Sequence, residues 1–315
     1  MANREEKEKR ALDTLEYTMG FDVMQYMKDP DISEVIINFD EKIWVDSFTK
    51  GHYYTGKTLP RDMTRQIIYQ VADMKDKVCT EKSPMLEAEL PDGSRFMGFI
   101  PDVVPAPSII IRKHAILNMT LDKYVEAGTM TAAQRATILK AIKDHKNIIA
   151  AGGTNTGKTT FLNAILAEIC KMQERVVLVE DTPELQCTAE DYLPLRTSDF
   201  IGMAGLLRGT LRSSPKRIVV GEVRGEEALS LLDAWSTGHG GGCSTVHSNS
   251  AVQTLKRLEN MVSRVSLTPQ QQTIAEAVDI IVYLRMKGMR RYVDEIIGVD
   301  GYDEVKHCYI THEIL

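Results

Sequence analysis

Cysteine is scarce and unpatterned in this chain of 315 residues. Its five members, Cys79, Cys170, Cys187, Cys243 and Cys308, are odd in number and include no C-x-x-C pair. That argues against a disulfide framework and a cysteine-clustered zinc module, and it reads as reduced thiols in a cytosol. Aromatic residues make up only 6%. No apolar run approaches the ~18 residues a membrane helix needs. The charged start, Arg4-Glu5-Glu6-Lys7-Glu8-Lys9-Arg10, has no apolar segment behind it, so a secretory signal is not expected. An excess of positive charge is missing as well: 38 Lys and Arg against 44 Asp and Glu leave −6. A phosphate-tracking surface over the whole protein is thereby excluded, although a local basic patch is not. With 43% apolar and 26% charged residues, the composition is that of a soluble globular protein, and the length suggests about two domains.

The first part of the chain reads as a compact α+β domain over residues 1–114. Leu12, Leu15, Met19, Val23, Met24 and Met27 recur at helical spacing, with Gly20 splitting the run and Pro30 ending it. Short β-prone runs follow at 34–39, 42–48 and 51–54. A helix over 61–76 comes next, then two strands around the Pro91-Asp92-Gly93 turn, and a strand over 108–112. Residues 115–130 read as a connector. From Thr131, a plausible N-cap for a helix to His145, the rhythm becomes strand–helix–strand, as in an α/β domain with a parallel sheet over 131–315. Three strands are expected to close the chain, at 279–284, 290–299 and 306–314.

The strongest motif lies where that rhythm begins. Gly152-Gly153-Thr154-Asn155-Thr156-Gly157-Lys158-Thr159, followed by Thr160, matches G-x-x-x-x-G-K-[ST]. The apolar strand 147–151 runs into it, and a helix carrying Phe161, Leu162, Ile165, Leu166 and Ile169 leaves it, which is the context the motif requires. Glycines let consecutive N–H groups face inward as an anion nest, and the helix N-terminus adds its dipole. Lys158 should reach the β- and γ-phosphates of ATP, and the Thr159 hydroxyl should ligate Mg²⁺.

Hydrolysis also needs carboxylates at the strand ends. One strand ends in Glu180-Asp181-Thr182-Pro183-Glu184, and another runs Arg217-Ile218-Val219-Val220-Gly221-Glu222. In open parallel sheets ligands bind outside such ends. Glu180 and Glu222 are candidates for the Mg²⁺ shell, and Glu222 for orienting the attacking water. Arg208 and Arg212, read as sharing a helix face, and Arg217 and Arg224 could contact either phosphate or these acids. Finally, Thr237-Gly238-His239-Gly240-Gly241-Gly242 leads to His247-Ser248-Asn249, a flexible segment whose two imidazoles could sense the γ-phosphate.

These four boxes, in this order, resemble the type II/type IV secretion ATPase family: Walker A, the Asp box, an atypical Walker B and the His box. The likeness is strongest to its TrbB-type conjugal-transfer branch, and the absent four-cysteine module argues against the type II branch. The resemblance implies a RecA-like P-loop NTPase C-terminal domain beside a smaller, PAS-like sensory and oligomerisation domain. It further implies a homohexameric ring that binds ATP and Mg²⁺ between the two halves. An N-terminal Arg, with Arg95 and Arg112 as the candidates, would act as the finger. Glu222 would be the catalytic carboxylate and Glu184 its Asp-box partner, while His239 and His247 would couple γ-phosphate state to domain motion. The implied role is ATP hydrolysis that powers substrate transfer through a conjugative type IV secretion channel. The protein would be cytoplasmic or peripheral at the inner face of the membrane, partnered by inner-membrane channel or coupling components. Sequence-specific nucleic-acid binding is not expected. A pilus-retraction motor and a RecA-like nucleic-acid motor are the alternatives. The chain departs from the family pattern at Asn155, where Gly is usual but Asn tolerates left-handed backbone, and also at Gly240 and Lys216.

Overall fold

The computed structural model describes residues 2–113, 119–288 and 290–314, with backbone only for 2–9. It divides into two compact units, Met1–Ile116 and Leu117–Leu315.

In the first unit α1 (Ala2–Lys28) is broken at Gly20, whose φ of 73° lies in the left-handed region that favours glycine. The strands β1 (Ile32–Ile37), β2 (Lys42–Ser47), β3 (Gly51–Thr58), β4 (Met85–Glu89), β5 (Arg95–Phe99) and β6 (Ser108–Arg112) form one antiparallel sheet. Its order is β3-β2-β1-β6-β5-β4. Leu15, Met19 and Val23 of α1 share a core with Ile67, Ile68 and Val71 of α2 (Arg61–Met74) and with inward strand residues such as Val35, Ile43, Phe96 and Ile111. The methionine stripe is thus core packing.

The second unit contains α3 (Leu121–Glu126), α4 (Ala132–Lys143), β7 (Ile148–Gly152), α5 (Lys158–Cys170), β8 (Val176–Glu180), β9 (Tyr192–Arg196), α6 (Met203–Thr210) and β10 (Arg217–Val223). These are followed by α7 (Glu227–Ser236), β11 (Cys243–His247), α8 (Ala251–Val262), α9 (Gln271–Ala277), β12 (Ile280–Lys287), β13 (Arg290–Asp303) and β14 (Cys308–Glu313). The sheet order is β14-β13-β12-β7-β11-β10-β8-β9. The six strands from β9 to β12 are parallel, and β13 and β14 add an antiparallel edge. Alternation along β7 sends Ile148 and Ala150 into the core beneath α3–α5, and Ile149 and Ala151 into the core beneath α6–α9. Both faces are therefore covered, as a parallel sheet requires.

The stretch expected as a connector needs correction. From Met119 onward it belongs to the second unit. α3 lies within it, and Leu121, Tyr124 and Met130 are at most 5% exposed in the shared core; the rest, 114–118, lies outside the described residues. Thr131 does cap α4, in a capping box with Gln134. The edge strand β9 and the helices α8 and α9 lie outside the elements expected from the sequence. Pro194 in β9 is tolerated because the strand is an edge.

Candidate active site

Because the central strands are parallel, their C-terminal residues collect at one end of the sheet. Gly152 ends β7, His247 ends β11 directly beside it, and Glu180 ends β8. Glu222 reaches the same end through an irregularity. Val220 pairs with Ser244 but Val223 with Val246, so β10 holds one residue more than β11 over that span. The Thr245 hydroxyl donates to the Gly221 carbonyl at 2.8 Å and pins this bulge. Bulges of this kind re-aim side chains beside active sites.

The glycine-rich loop after β7 turns through two left-handed residues. Asn155 (φ 59°) and Gly157 (φ 83°) both adopt left-handed backbone, so Asn155 does serve where glycine is usual. A Cβ on Gly152 would stand 2.5 Å from the Leu284 carbonyl oxygen, which leaves room for glycine alone. The Thr156 hydroxyl donates to the Gly153 carbonyl at 2.9 Å, and Lys158 Nζ donates to the same oxygen at 2.8 Å. Gly157 caps α5 without a side-chain bond, so the first helical amides keep their capacity for an anion.

His247 joins the two catalytic candidates. Its Nδ1 lies 3.3 Å from Lys158 Nζ, and its Nε2 lies 2.9 Å from Glu222 Oε1. An ammonium can only donate, so Nδ1 accepts and the ring proton sits on Nε2; Glu222 Oε1 is close to that nitrogen but receives no hydrogen bond. Burial first, and the Lys158 charge second, hold the His247 pKa below the usual imidazole value. Arg224 closes the chain with a 2.5 Å bond from Nη2 to Glu222 Oε2. That bond, more than the nearby charges of Asp181 and Glu184, raises the Arg224 pKa.

The remaining candidates divide. Glu180, 4% exposed, accepts on Oε1 the backbone amides of Glu184 and Leu185, each at 2.8 Å. Through Oε1 it therefore holds the acidic loop in place, and burial raises its pKa. Glu184 is carried on that loop, which Asn163 of α5 also clamps by donating to the Glu184 carbonyl and accepting from the Gln186 amide, both at 2.9 Å. His239 is not with the loop. The carbonyl of Gly242 bonds to Ile148 N at the start of β7, and a Cβ on Gly240 would press on the His145 carbonyl. The segment before β11 thus lies at the N-terminal end of the sheet, about 13 Å of strand away from His247. Arg217 is at that end too. It is fully buried, with Nε on Glu174 at 2.6 Å and Nη1 and Nη2 on the carbonyls of Gly241 and Ile142, each at 3.0 Å, so it does not reach the loop. Arg208 is exposed near the end of α6, and Arg212 lies beyond that helix. Arg95 and Arg112 are cross-strand partners on β5 and β6, with Arg112 Nε 3.9 Å from Glu34 Oε1.

Arg291 is a neighbour of the loop that no sequence motif marks. Its Nε donates to the Asn155 carbonyl at 3.0 Å. It stands well over a hundred residues from the motif, and only the adjacency of β7, β12 and β13 brings the two together.

Comparison with known proteins decides the family. The family described as "Type II/IV secretion system protein" matches residues 21–290. The chain belongs to that family. The conjugal transfer protein TrbB of Rhizobium radiobacter is 40% identical over 93% of this chain and 91% of its own length. The type IV secretion system protein PtlH of Bordetella pertussis is 30% identical, with 88% and 93% covered. Among solved structures, the ATPase DotB of Legionella pneumophila shares the fold, with a TM-score of 0.60 at 18% identity over 90% of this chain and 80% of that one. The family match includes the loop, Glu222 and His247, and ends one residue short of Arg291. Among the described residues, no helix is long and apolar enough to cross a membrane.

Proposed function

We propose that this member of the secretion family is a Mg²⁺-dependent ATPase that drives substrate transfer in a conjugative type IV secretion system, working as a homohexameric ring. The observation that carries the reading is the run Lys158–His247–Glu222 across the mouth of the phosphate loop. Gly152 to Thr160 would cradle the triphosphate. Lys158 would exchange the Gly153 carbonyl for phosphate oxygens. Glu222 would orient water and take its proton, and His247 would report the charge state of the cradle to β11 and the segment after it.

The residues present fit a magnesium ion. Among the described residues no three His, Cys, Asp or Glu side chains form a cage for a metal. Magnesium keeps several waters and needs few protein ligands. Thr159 would supply a hydroxyl, with Glu222 acting through water. The bound ion would neutralise charge developing between the β- and γ-phosphates. Arg95 or Arg112 would complete a site from the first unit, which would act as the PAS-like sensory and oligomerisation domain. The 40% identity to a conjugal transfer protein supports the conjugative role over a pilus motor. A cytoplasmic place, peripheral to the inner membrane and in contact with channel components, follows from that role.

Phosphate release measured with Mg²⁺ and ATP tests the enzyme reading. The wild type should turn over slowly and Lys158→Ala should be silent; equal rates would overturn it.

A further inference from the structure

Asn155, where the loop departs from its family pattern, and Arg291, just beyond the family match, meet in a hydrogen bond. Asn155 sits at φ 59°, where an L-residue is strained and glycine is not. Its carbonyl accepts from Arg291 Nε at 3.0 Å. The side chain that delivers this bond lies flat on the loop. A Cβ on Gly157 would come within 3.0 Å of Arg291 Cδ and 3.7 Å of its Nε. Tyr124 lies electrostatically close, and burial lowers the pKa of the guanidinium.

The backbone that carries Arg291 is fixed on two sides. Along β12 it pairs with Met286, and two residues before Met286 the Leu284 carbonyl presses on Gly152. Two residues after Arg291, Val293 N donates to the Thr129 carbonyl at 2.8 Å, and Gln134 Nε2 donates to the Val293 carbonyl at 3.3 Å. Arg291 therefore reaches the loop from a strand tied both to β12 and to the segment that precedes α4.

Peptide geometry gives this bond a consequence. The Asn155–Thr156 unit is planar and trans, so its carbonyl and its N–H point in opposite directions. Holding the Asn155 oxygen toward Arg291 turns the Thr156 N–H directly away from Arg291. An anion nest needs that arrangement, with oxygens outward and amides inward.

We propose that Arg291 is a positioning residue of the phosphate loop, its hydrogen bond to the Asn155 carbonyl keeping the Thr156 amide turned inward to receive the nucleotide's phosphates. The proposal rests on the ATP reading above. A strut of this kind acts on binding before it acts on chemistry.

The test compares ATP affinity and KM against kcat in the full chain for wild type, Arg291→Met, Arg291→Gln and Arg291→Leu. The Met variant keeps the stem that packs on Gly157 but loses the donor. Its ATP Kd and KM should rise about tenfold, the size expected for one charge-assisted hydrogen bond, while kcat falls by less. The Gln variant, a neutral donor of similar reach, should recover much of that loss. Wild-type affinity in Met, or equal affinity in Met and Gln, would overturn the proposal. Should the Met variant fail to fold, Arg291→Leu carries the test: it keeps an apolar stem with no donor at all, so KM should rise severalfold with little change in kcat. An unchanged KM would overturn the proposal. If instead the wild type itself binds no ATP, the nucleotide reading fails first, and the two failures are told apart.

Discussion

His247 is the side chain on which an ammonium and a carboxylate converge, and its ionisation is therefore the most sensitive property of the site. Its folded pKa is depressed below the ordinary value of 6.5, so the folded protein binds a proton there less readily than the unfolded chain. Stability that is full above about pH 6.5 is lost as the pH falls through that value, and the loss levels off below the folded pKa. Melting temperatures taken at pH 7.5 and 5.5 should fall more for wild type than for His247→Gln; equal falls would contradict the depressed pKa. Protonation would also remove the acceptor that faces Lys158, so turnover should drop over the same range. The sequence displays each member of this run but not their meeting. Lys158 was legible because its motif is contiguous. The pairing of His247 with Glu222 depends on β10 lying beside β11 with a bulge at Gly221, which no local pattern announces. His239 shows the complementary effect. It stands eight residues before His247, but those residues run the length of a strand, so closeness in sequence became separation in space.

At the scale of elements, the sheet has one end that carries the proposed site and another that anchors it. Arg217 is the bolt of the second. It starts β10, is fully buried, and ties Glu174 and the ends of α4 and the glycine segment together. Glu174 also faces His145 Nε2 at 3.1 Å. Removing one partner of a buried, paired charge typically costs about 3–5 kcal/mol. Arg217→Ala should therefore melt well below wild type, whereas Arg208→Ala, on an exposed position of α6, should not. A melting point for Arg217→Ala within about 1 °C of wild type would refute the buried network. The periodicity that revealed α1, α2, α4, α5 and the core strands is the packing of their apolar faces. β9 stayed hidden because an edge strand with a proline carries little of that signal, and α3 because its six residues are too short to show a period. Within α5, Asn163 clamps the acidic loop through its amide, a task no pattern marks.

At the scale of the whole molecule, the two units carry different parts of the proposed machine, with the phosphate loop in one and the paired arginines of β5 and β6 in the other. In the proposed ring, ATP should favour assembly and turnover should depend on it. Light scattering after size exclusion should show a larger species with a non-hydrolysable ATP analogue than without. Specific activity should climb with protein concentration, and Arg95→Ala or Arg112→Ala should lower kcat while leaving ATP affinity nearly intact. A monomer under both conditions, with activity independent of concentration, would contradict the ring. The division into two units was legible in the change of rhythm near Thr131, yet the boundary expected there falls earlier, because Leu121, Tyr124 and Met130 belong to the second core.

The most direct measurement is a paired assay on Glu222→Gln, with fluorescent ATP-analogue binding beside phosphate release. If Glu222 steers and deprotonates water while Lys158 and the loop hold the nucleotide, this variant should bind as tightly as wild type and release phosphate at least a hundredfold more slowly, in line with the ~10²–10⁴-fold typical of a general base. Retention of wild-type turnover, or loss of binding in step with loss of turnover, would contradict that division of labour.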